Sequence, residues 1–225
     1  MEELEYPEYY DTQIHLAMPH YELFQDAVIN LVKALPIKPK LWLDTGCGTG
    51  RFVEKAVKIF PETLFVLSDP SSEMLEQARR KLLAIPEKRI KFLKTMPTQD
   101  LTPEVAGNPD VLTAFLSHHY MKKDEREKAT KTCLSLLKPG GLYATFENIR
   151  PSTKKGLEAG MNSWRRFQLS QGRDEKSVEK HLKRYDTKYF PITVEEHIAL
   201  LKRCGFKVCE LLWYSNLQAG FYGIK

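Results

Sequence analysis

The pattern Asp44-x-Gly46-x-Gly48-x-Gly50 leaves this chain few folds to choose from, because of what stands on either side of it. Before it lies a short apolar run, Lys40 to Asp44. After it, from Arg51 to Phe60, the residues Phe52, Val53, Ala56, Val57 and Ile59 recur at helical spacing. A strand that feeds a helix through a glycine turn opens a βαβ unit. Glycines at that turn let the backbone approach a ligand closely, and the free N–H groups at the helix start suit an anionic group such as an amino-acid carboxylate. A dinucleotide fingerprint would need one more glycine directly after Gly50, where helix and strand pack closely. Arg51 occupies that place and disfavours NAD.

The alternation continues downstream. Strands are expected at Thr63–Ser68, Ile90–Leu93, Asp110–Leu116 and Leu142–Phe146, separated by a helix capped by Ser72 and a second helix from Asp124 to Leu137 that Lys138-Pro139-Gly140-Gly141 stops. Upstream, Leu23, Phe24, Ala27, Val28, Leu31, Val32 and Leu35 form one helical stripe that ends at Pro36. From Pro151 to about Pro191 the sequence turns polar, basic and helix-compatible, with no strand candidate. Thr193 to Glu196 then reads as a capping box on a helix that closes at Gly205, and two strands, Lys207–Tyr214 and Ala219–Ile224, follow as an antiparallel edge. The expectation is an α/β protein with a doubly wound, seven-stranded Rossmann-like sheet, an antiparallel last strand and a helical lid insertion. It forms a single domain over 1–225, with an N-terminal helical region at 1–36 and the lid at 151–191.

Composition narrows the class further. With 225 residues, 42% hydrophobic and 28% charged, disorder is excluded. The four cysteines, Cys47, Cys133, Cys204 and Cys209, show no metal-ligand spacing, so they read as reduced thiols of an intracellular protein with no metal site. The opening MEELEYPEYYD is acidic and lacks the regions of a signal peptide, and no apolar run approaches the roughly 18 residues of a membrane span. A soluble, cytoplasmic protein with no membrane partner is expected. Its net charge of +5 is localised: Pro151–Phe190 holds ten basic and five acidic residues, and the remainder balances at 24 against 24.

Asp69 stands at the end of the second expected strand, where a carboxylate can accept both hydroxyls of a ribose. Together with LDTGCGTG, Ser72-x-Met74-Leu75, LLKPGG before the fifth strand and the terminal hairpin, it resembles the class I S-adenosylmethionine-dependent methyltransferases over almost the whole chain. Four further stretches resemble the group of carboxy-S-adenosylmethionine synthase and wobble-uridine tRNA methyltransferase-like proteins. They are Pro19-His20-Tyr21, the SHHY of Ser117–Tyr120, Trp164 to Gly172, and VEEHIALLKRCGF. The resemblance implies S-adenosylmethionine as cofactor, with Gly46, Gly48 and Gly50 around its methionine part, Asp44 steadying the loop, and Cys47 and Leu116 beside it. It also implies Asp69 on the ribose, and Pro70 and Met74 flanking the adenine. In the third-strand loop Pro97 replaces the usual adenine-contacting acid, which leaves Gln99 or a backbone amide for that contact, or packing alone to hold the adenine. The synthase pairs an insertion arginine with its extra carboxylate; gapless pairing puts Leu182 there, and deleting two residues matches Lys183-Arg184 instead.

A sulfonium methyl is already a strong electrophile, so transfer needs alignment in a dry pocket and, for an acceptor that must lose a proton, a general base. His118 and Glu147, at the carboxyl ends of the fourth and fifth strands, and Tyr21, reaching over from the N-terminal helix, are the catalytic candidates. His119, Trp164 and Arg165 are the substrate-binding ones. The leading reading is methyl transfer to a small molecule by a monomer or homodimer. A tRNA-modifying enzyme using the basic lid and a non-catalytic S-adenosylmethionine-binding protein are the alternatives.

Overall fold

The computed structural model describes residues 7–225. Its strands are β1 (Leu41–Thr45), β2 (Leu64–Ser68), β3 (Ile90–Phe92), β4 (Val111–Phe115), β5 (Leu142–Asn148), β6 (Val208–Ser215) and β7 (Gln218–Ile224). They form one sheet in the order β3-β2-β1-β4-β5-β7-β6. The first five run parallel and β7 lies antiparallel between β5 and β6. The order reverses between β1 and β4, and it is at the carboxyl ends there that an open α/β sheet places its ligands.

Both faces of the central strands are covered, so their sequences run nearly continuously apolar instead of alternating. Nine helices flank the sheet among the described residues: α1 (Pro7–Ala17), α2 (Tyr21–Ala34), α3 (Arg51–Ile59), α4 (Ser72–Lys81), α5 (Pro103–Ala106), α6 (Lys123–Leu136), α7 (Lys154–Ser170), α8 (Glu175–Leu182) and α9 (Val194–Cys204). One core joins Trp42, Phe65 and Phe146 of the sheet to Phe24 and Val28 of α2 and Phe52 of α3. The other joins Leu43, Leu112 and Tyr143 to Cys133 of α6 and Leu201 of α9. Among the described residues no helix is long and apolar enough to cross a membrane.

Three details differ from the sequence reading. The N-terminal region holds two helices: the apolar stripe belongs to α2, and α1 precedes it, while the opening residues 1–6 lie outside the described chain. The cap of α4 is Ser71, whose hydroxyl accepts the Met74 amide, and Ser72 is the first helical residue. β5 runs on to Asn148, which brings Glu147 into the sheet. The capping box at Thr193 and Glu196 and the left-handed Gly205 bound α9 as expected. The insertion folds as α7 and α8, both capped by side chains, Thr153 and Asp174.

Candidate active site

The three loop glycines all have positive φ, and each needs to be glycine for a different reason. A Cβ on Gly46 would stand 2.5 Å from the Ser117 Cβ, so β1 and the end of β4 approach too closely for any side chain. A Cβ on Gly50 would press on Ala78 and Leu82 at α4. Around Gly48 nothing lies within 4 Å of that position, so the middle of the loop is the part open to a ligand. Asp69 closes the loop from β2: one carboxylate oxygen accepts the Gly48 amide and the other the Ser71 amide, both at 2.8 Å. Each oxygen keeps a lone pair for a ribose hydroxyl.

Asp44 is buried beneath the loop. Burial, with the Asp69 charge adding, pushes its carboxyl up to about 7, although it accepts the Thr113 hydroxyl at 2.6 Å. At the end of β4, Leu116 has a φ of 51°, a strained conformation for a bulky residue, and its amide is held by the Phe146 carbonyl at 2.7 Å. That turn aims Ser117 at the glycine loop with its hydroxyl buried and without a partner, and the buried Gln99 Oε1 is likewise unsatisfied. Two orphaned polar atoms and an open glycine beside the Asp69 carboxylate fit a polar ligand such as S-adenosylmethionine. Cys47 and Met74 are half-buried beside this cleft, and Pro70 is exposed at its rim. Tyr21, at the start of α2, is buried between His15 and Phe24 with the Arg51 guanidinium over its ring; burial raises its phenol well above the usual range, and the charges that reach it include Arg51 and Asp44.

The SHHY turn splits its two histidines. His118 faces into the protein, where its Nδ1 meets the Tyr143 hydroxyl at 3.1 Å and its Nε2 meets the Thr98 hydroxyl at 3.3 Å. Burial lowers its pKa to about 4, against the opposing pull of Glu147. With both ring nitrogens engaged, His118 is placed as a wall residue. His119 takes the position beside Glu147, its Nδ1 3.0 Å from Oε2. The same oxygen accepts the His119 amide at 2.8 Å, and Thr145 donates to the other at 2.5 Å. Burial alone would raise Glu147, but the His119 hydrogen bond, both histidines and Thr145 bring it down to about 2. The Asn148 amide also approaches His119 Nδ1, at 3.3 Å; the closer, charged carboxylate assigns the ring proton to Nδ1.

The lid residues fall elsewhere. Trp164 is fully buried and donates its indole N–H to the Ala17 carbonyl at 2.7 Å, pinning α7 to the end of α1. Arg165 turns to Glu175 of α8 at 3.2 Å, an ion pair within the lid. From the lid, Tyr189 stacks edge-on against His119 and Tyr120, and Arg184 lies 4.9 Å over the Tyr189 ring. Sequence reasoning missed four residues here. Asp11 of α1 accepts the Thr49 hydroxyl at 2.6 Å and pairs with Lys81 of α4, strapping α1 across the glycine loop. Arg51 pairs with Glu22 at 2.8 Å and lies 5.8 Å over the Tyr21 ring. Tyr10, half-buried against the core, has its phenol raised by desolvation and by the nearby Tyr21, Tyr120 and Tyr189. Arg126, 3% exposed, gathers the carbonyls of His118, Met121 and Phe190. A sequence signal existed only for Arg51, as the departure from the dinucleotide pattern. Among the described residues no cluster of His, Cys, Asp and Glu could hold a metal.

Comparison with known proteins places this geometry. Residues 43–143 match the family model of a methyltransferase domain. Curated relatives include the carboxy-S-adenosyl-L-methionine synthases of Trichodesmium erythraeum and Nautilia profundicola, each 22% identical over 96% of this chain, which spans 85% and 90% of their lengths. Among solved structures, an O-methyltransferase family protein from Burkholderia thailandensis superposes with a TM-score of 0.66 at 15% identity over 97% of this chain, which spans 59% of that structure. The magnesium protoporphyrin IX methyltransferase of Synechocystis, solved with S-adenosylhomocysteine bound, gives 0.64 at 17% identity over 91% of this chain and 83% of its own.

Proposed function

We infer that this chain, a class I S-adenosylmethionine-dependent methyltransferase by the domain it carries, transfers a methyl group to a small-molecule acceptor. The observation that carries this reading is the cleft at Gly48, open to a ligand and bordered by the Asp69 carboxylate and the unpartnered Ser117 hydroxyl. When bound, S-adenosylmethionine supplies an electrophilic sulfonium methyl, which leaves alignment, dryness and proton removal to the protein. Asp69 would hold the ribose, the open glycine loop and Ser117 the amino-acid end, and Met74, Pro70 and Gln99 would border the adenine. Cys47, Leu116 and Tyr21 exclude water near the sulfur.

His119 is the base. Glu147 keeps the proton on Nδ1 and its own negative charge close by, so Nε2 can accept a proton from an acceptor O–H or N–H, and the imidazolium that forms is stabilised. Glu147 is then a positioning residue and His118 a structural one. We place the protein in the cytoplasm, as a monomer or homodimer.

Isothermal titration tests the cofactor site: S-adenosylhomocysteine binds and NAD does not, and Asp69→Ala weakens binding by about a hundredfold or more, the loss of two charge-assisted hydrogen bonds. Binding unchanged in that variant refutes the site.

One observation favours a second reading, cofactor carboxylation as in the named relatives. Arg184, not the inward-packed Leu182, is the lid residue that reaches the tyrosines beside His119, and an arginine there can pair with a carboxylate. Mass spectrometry of the cofactor after incubation with cell extract separates the two, since methyl transfer leaves S-adenosylhomocysteine and no carboxylated cofactor. The tRNA alternative rests on lid cations such as Lys154, Arg166, Lys176 and Lys188, all exposed. Filter binding to bulk tRNA that is indifferent to salt would remove it.

A further inference from the structure

Outside the site described above, a cavity of about 720 Å³ opens where α6 and α9 meet the chain leaving the lid. Its size lies within the range of about 300–1,000 Å³ usual for small-molecule sites. Phe190, Pro191, Ile192, Ala199 and Leu200 give it an apolar floor. Five cations line it, Lys122, Lys123, Arg126, Arg150 and Arg203, against three acids. Two of the acids pair with cations of the same lining, Glu127 with Arg203 at 3.5 Å and Asp186 with Arg150; Glu127 also meets Lys131 at 2.8 Å, and Glu196 accepts the Thr193 amide at 2.8 Å in the cap of α9, so Lys122, Lys123 and Arg126 are left without a carboxylate from this lining. With five cations against three acids the cavity keeps a positive excess, and Lys122 and Lys123 bring two of those charges to the start of α6.

Its inner wall is Arg126, and what Arg126 holds gives the cavity a consequence. Its Nε donates to the His118 carbonyl at 3.1 Å, and its Nη2 donates to the carbonyls of Met121 at 2.9 Å and Phe190 at 2.5 Å. The Phe190 amide in turn donates to the His119 carbonyl at 2.7 Å. On the far side of Arg126 and Leu200 a second, much smaller cavity is lined by Glu147 and by His197, which is 4% exposed and whose Nε2 has no partner. A buried guanidinium satisfied by three neutral carbonyls prefers an anion when one comes within reach, because charge-assisted hydrogen bonds are about twice as strong as neutral ones.

We propose that this cavity binds a small organic anion with an apolar body, a fatty-acid-like carboxylate or an alkyl phosphate, and that the bound anion draws Arg126 away from the His118 and Phe190 carbonyls. The turn carrying His119 loosens as a result. The effect on methyl transfer rests on His119 as the base; the binding itself does not.

Calorimetry on protein saturated with S-adenosylhomocysteine tests it, with octanoate, octyl phosphate and inorganic phosphate as probes. At least one octyl probe binds with a stoichiometry of one, and the stronger of the two identifies the head group. Lys123→Glu weakens that binding about tenfold, the worth of one charge-assisted contact. Ala199→Trp, at an exposed helix position facing the cavity, fills the space and abolishes it. Both variants keep their melting temperature and their affinity for S-adenosylhomocysteine. Amide exchange at Phe190 quickens when the probe is bound. No binding by either octyl probe, binding undiminished in Ala199→Trp, or inorganic phosphate binding as tightly as octyl phosphate overturns the site. Saturation without faster exchange at Phe190 overturns the coupling. Should His119→Ala retain full methyl transfer, the base assignment falls while the calorimetry stands.

Discussion

Asp44 and Asp69 end neighbouring strands, yet only one of them is free to hold its charge. Asp69 is compensated by two amide hydrogen bonds, whereas Asp44 has a single hydroxyl and titrates near 7. Docking the cationic end of S-adenosylmethionine beside it favours the carboxylate, so binding near pH 7 releases a proton and affinity rises with pH until it levels off above about 7. Calorimetry at pH 7 in buffers of unequal ionisation heat gives unequal observed enthalpies, and Asp44→Asn makes them equal. Equal enthalpies in the unaltered protein count against the assignment. The glycine turn and the two aspartates beside it were legible in the sequence because a sharp strand-to-helix turn with left-handed backbone admits few residue types. The division between His118 and His119 was not: both are histidines at one strand end, and which ring turns inward depends on Tyr143 and Thr98, distant in sequence.

At the scale of elements, all seven strands could be read from apolar runs and the turn residues between them, and the lid from a polar, helix-compatible stretch with no strand candidate. α1 could not: the stripe it buries, Tyr10, Ile14 and Ala17, is short and set among polar residues, and polar contacts fix both its ends. Asp11 fastens it to Thr49 and Lys81 at one end, and Trp164 grips the Ala17 carbonyl at the other. The same contacts explain why Trp164 reads as substrate-facing in the sequence and is structural in the fold: an aromatic at the start of a basic insertion carries no sign of the carbonyl it serves. α1 thus bridges the glycine loop and the lid. Trp164→Phe leaves the buried Ala17 carbonyl without its donor, a cost of about 1–3 kcal/mol. Asp11→Asn removes the charge from the other end. In either variant amide exchange over residues 7–17 accelerates while the β1–β4 core stays protected, and S-adenosylhomocysteine dissociates faster. Unchanged exchange in both variants would show that α1 is held by something other than these two anchors.

The whole molecule carries its charge unevenly in two senses. The +5 that the sequence locates in the lid is carried there mostly by exposed lysines and Arg166, with Arg165 paired inside it and Arg173 buried. The histidines are the second sense: His118, His181 and His197 are buried at 2%, 2% and 4% exposure, and burial lowers them to about 4, 3 and 3. An unfolded chain binds protons at these three positions below pH 6.5, and the folded one refuses them, so stability falls as pH drops from 6.5 toward 4. Asp44 has the opposite sign, keeping a proton in the fold up to about 7 that the unfolded chain gives up near 3.8. The net uptake on unfolding is then close to two protons near pH 5, a slope of roughly 3 kcal/mol per pH unit. Below about 4.5 Glu147 adds to the loss, because its folded carboxyl stays charged down to about 2. Since a domain holds only about 5–15 kcal/mol, this slope unfolds it within a few pH units. Urea midpoints measured at pH 7, 6 and 5 fall steadily, and a flat series over that range contradicts the buried neutral histidines. His197→Leu isolates one of them: its Nε2 has no partner to lose, so the variant keeps its stability at pH 7 and flattens the decline by about one proton's share.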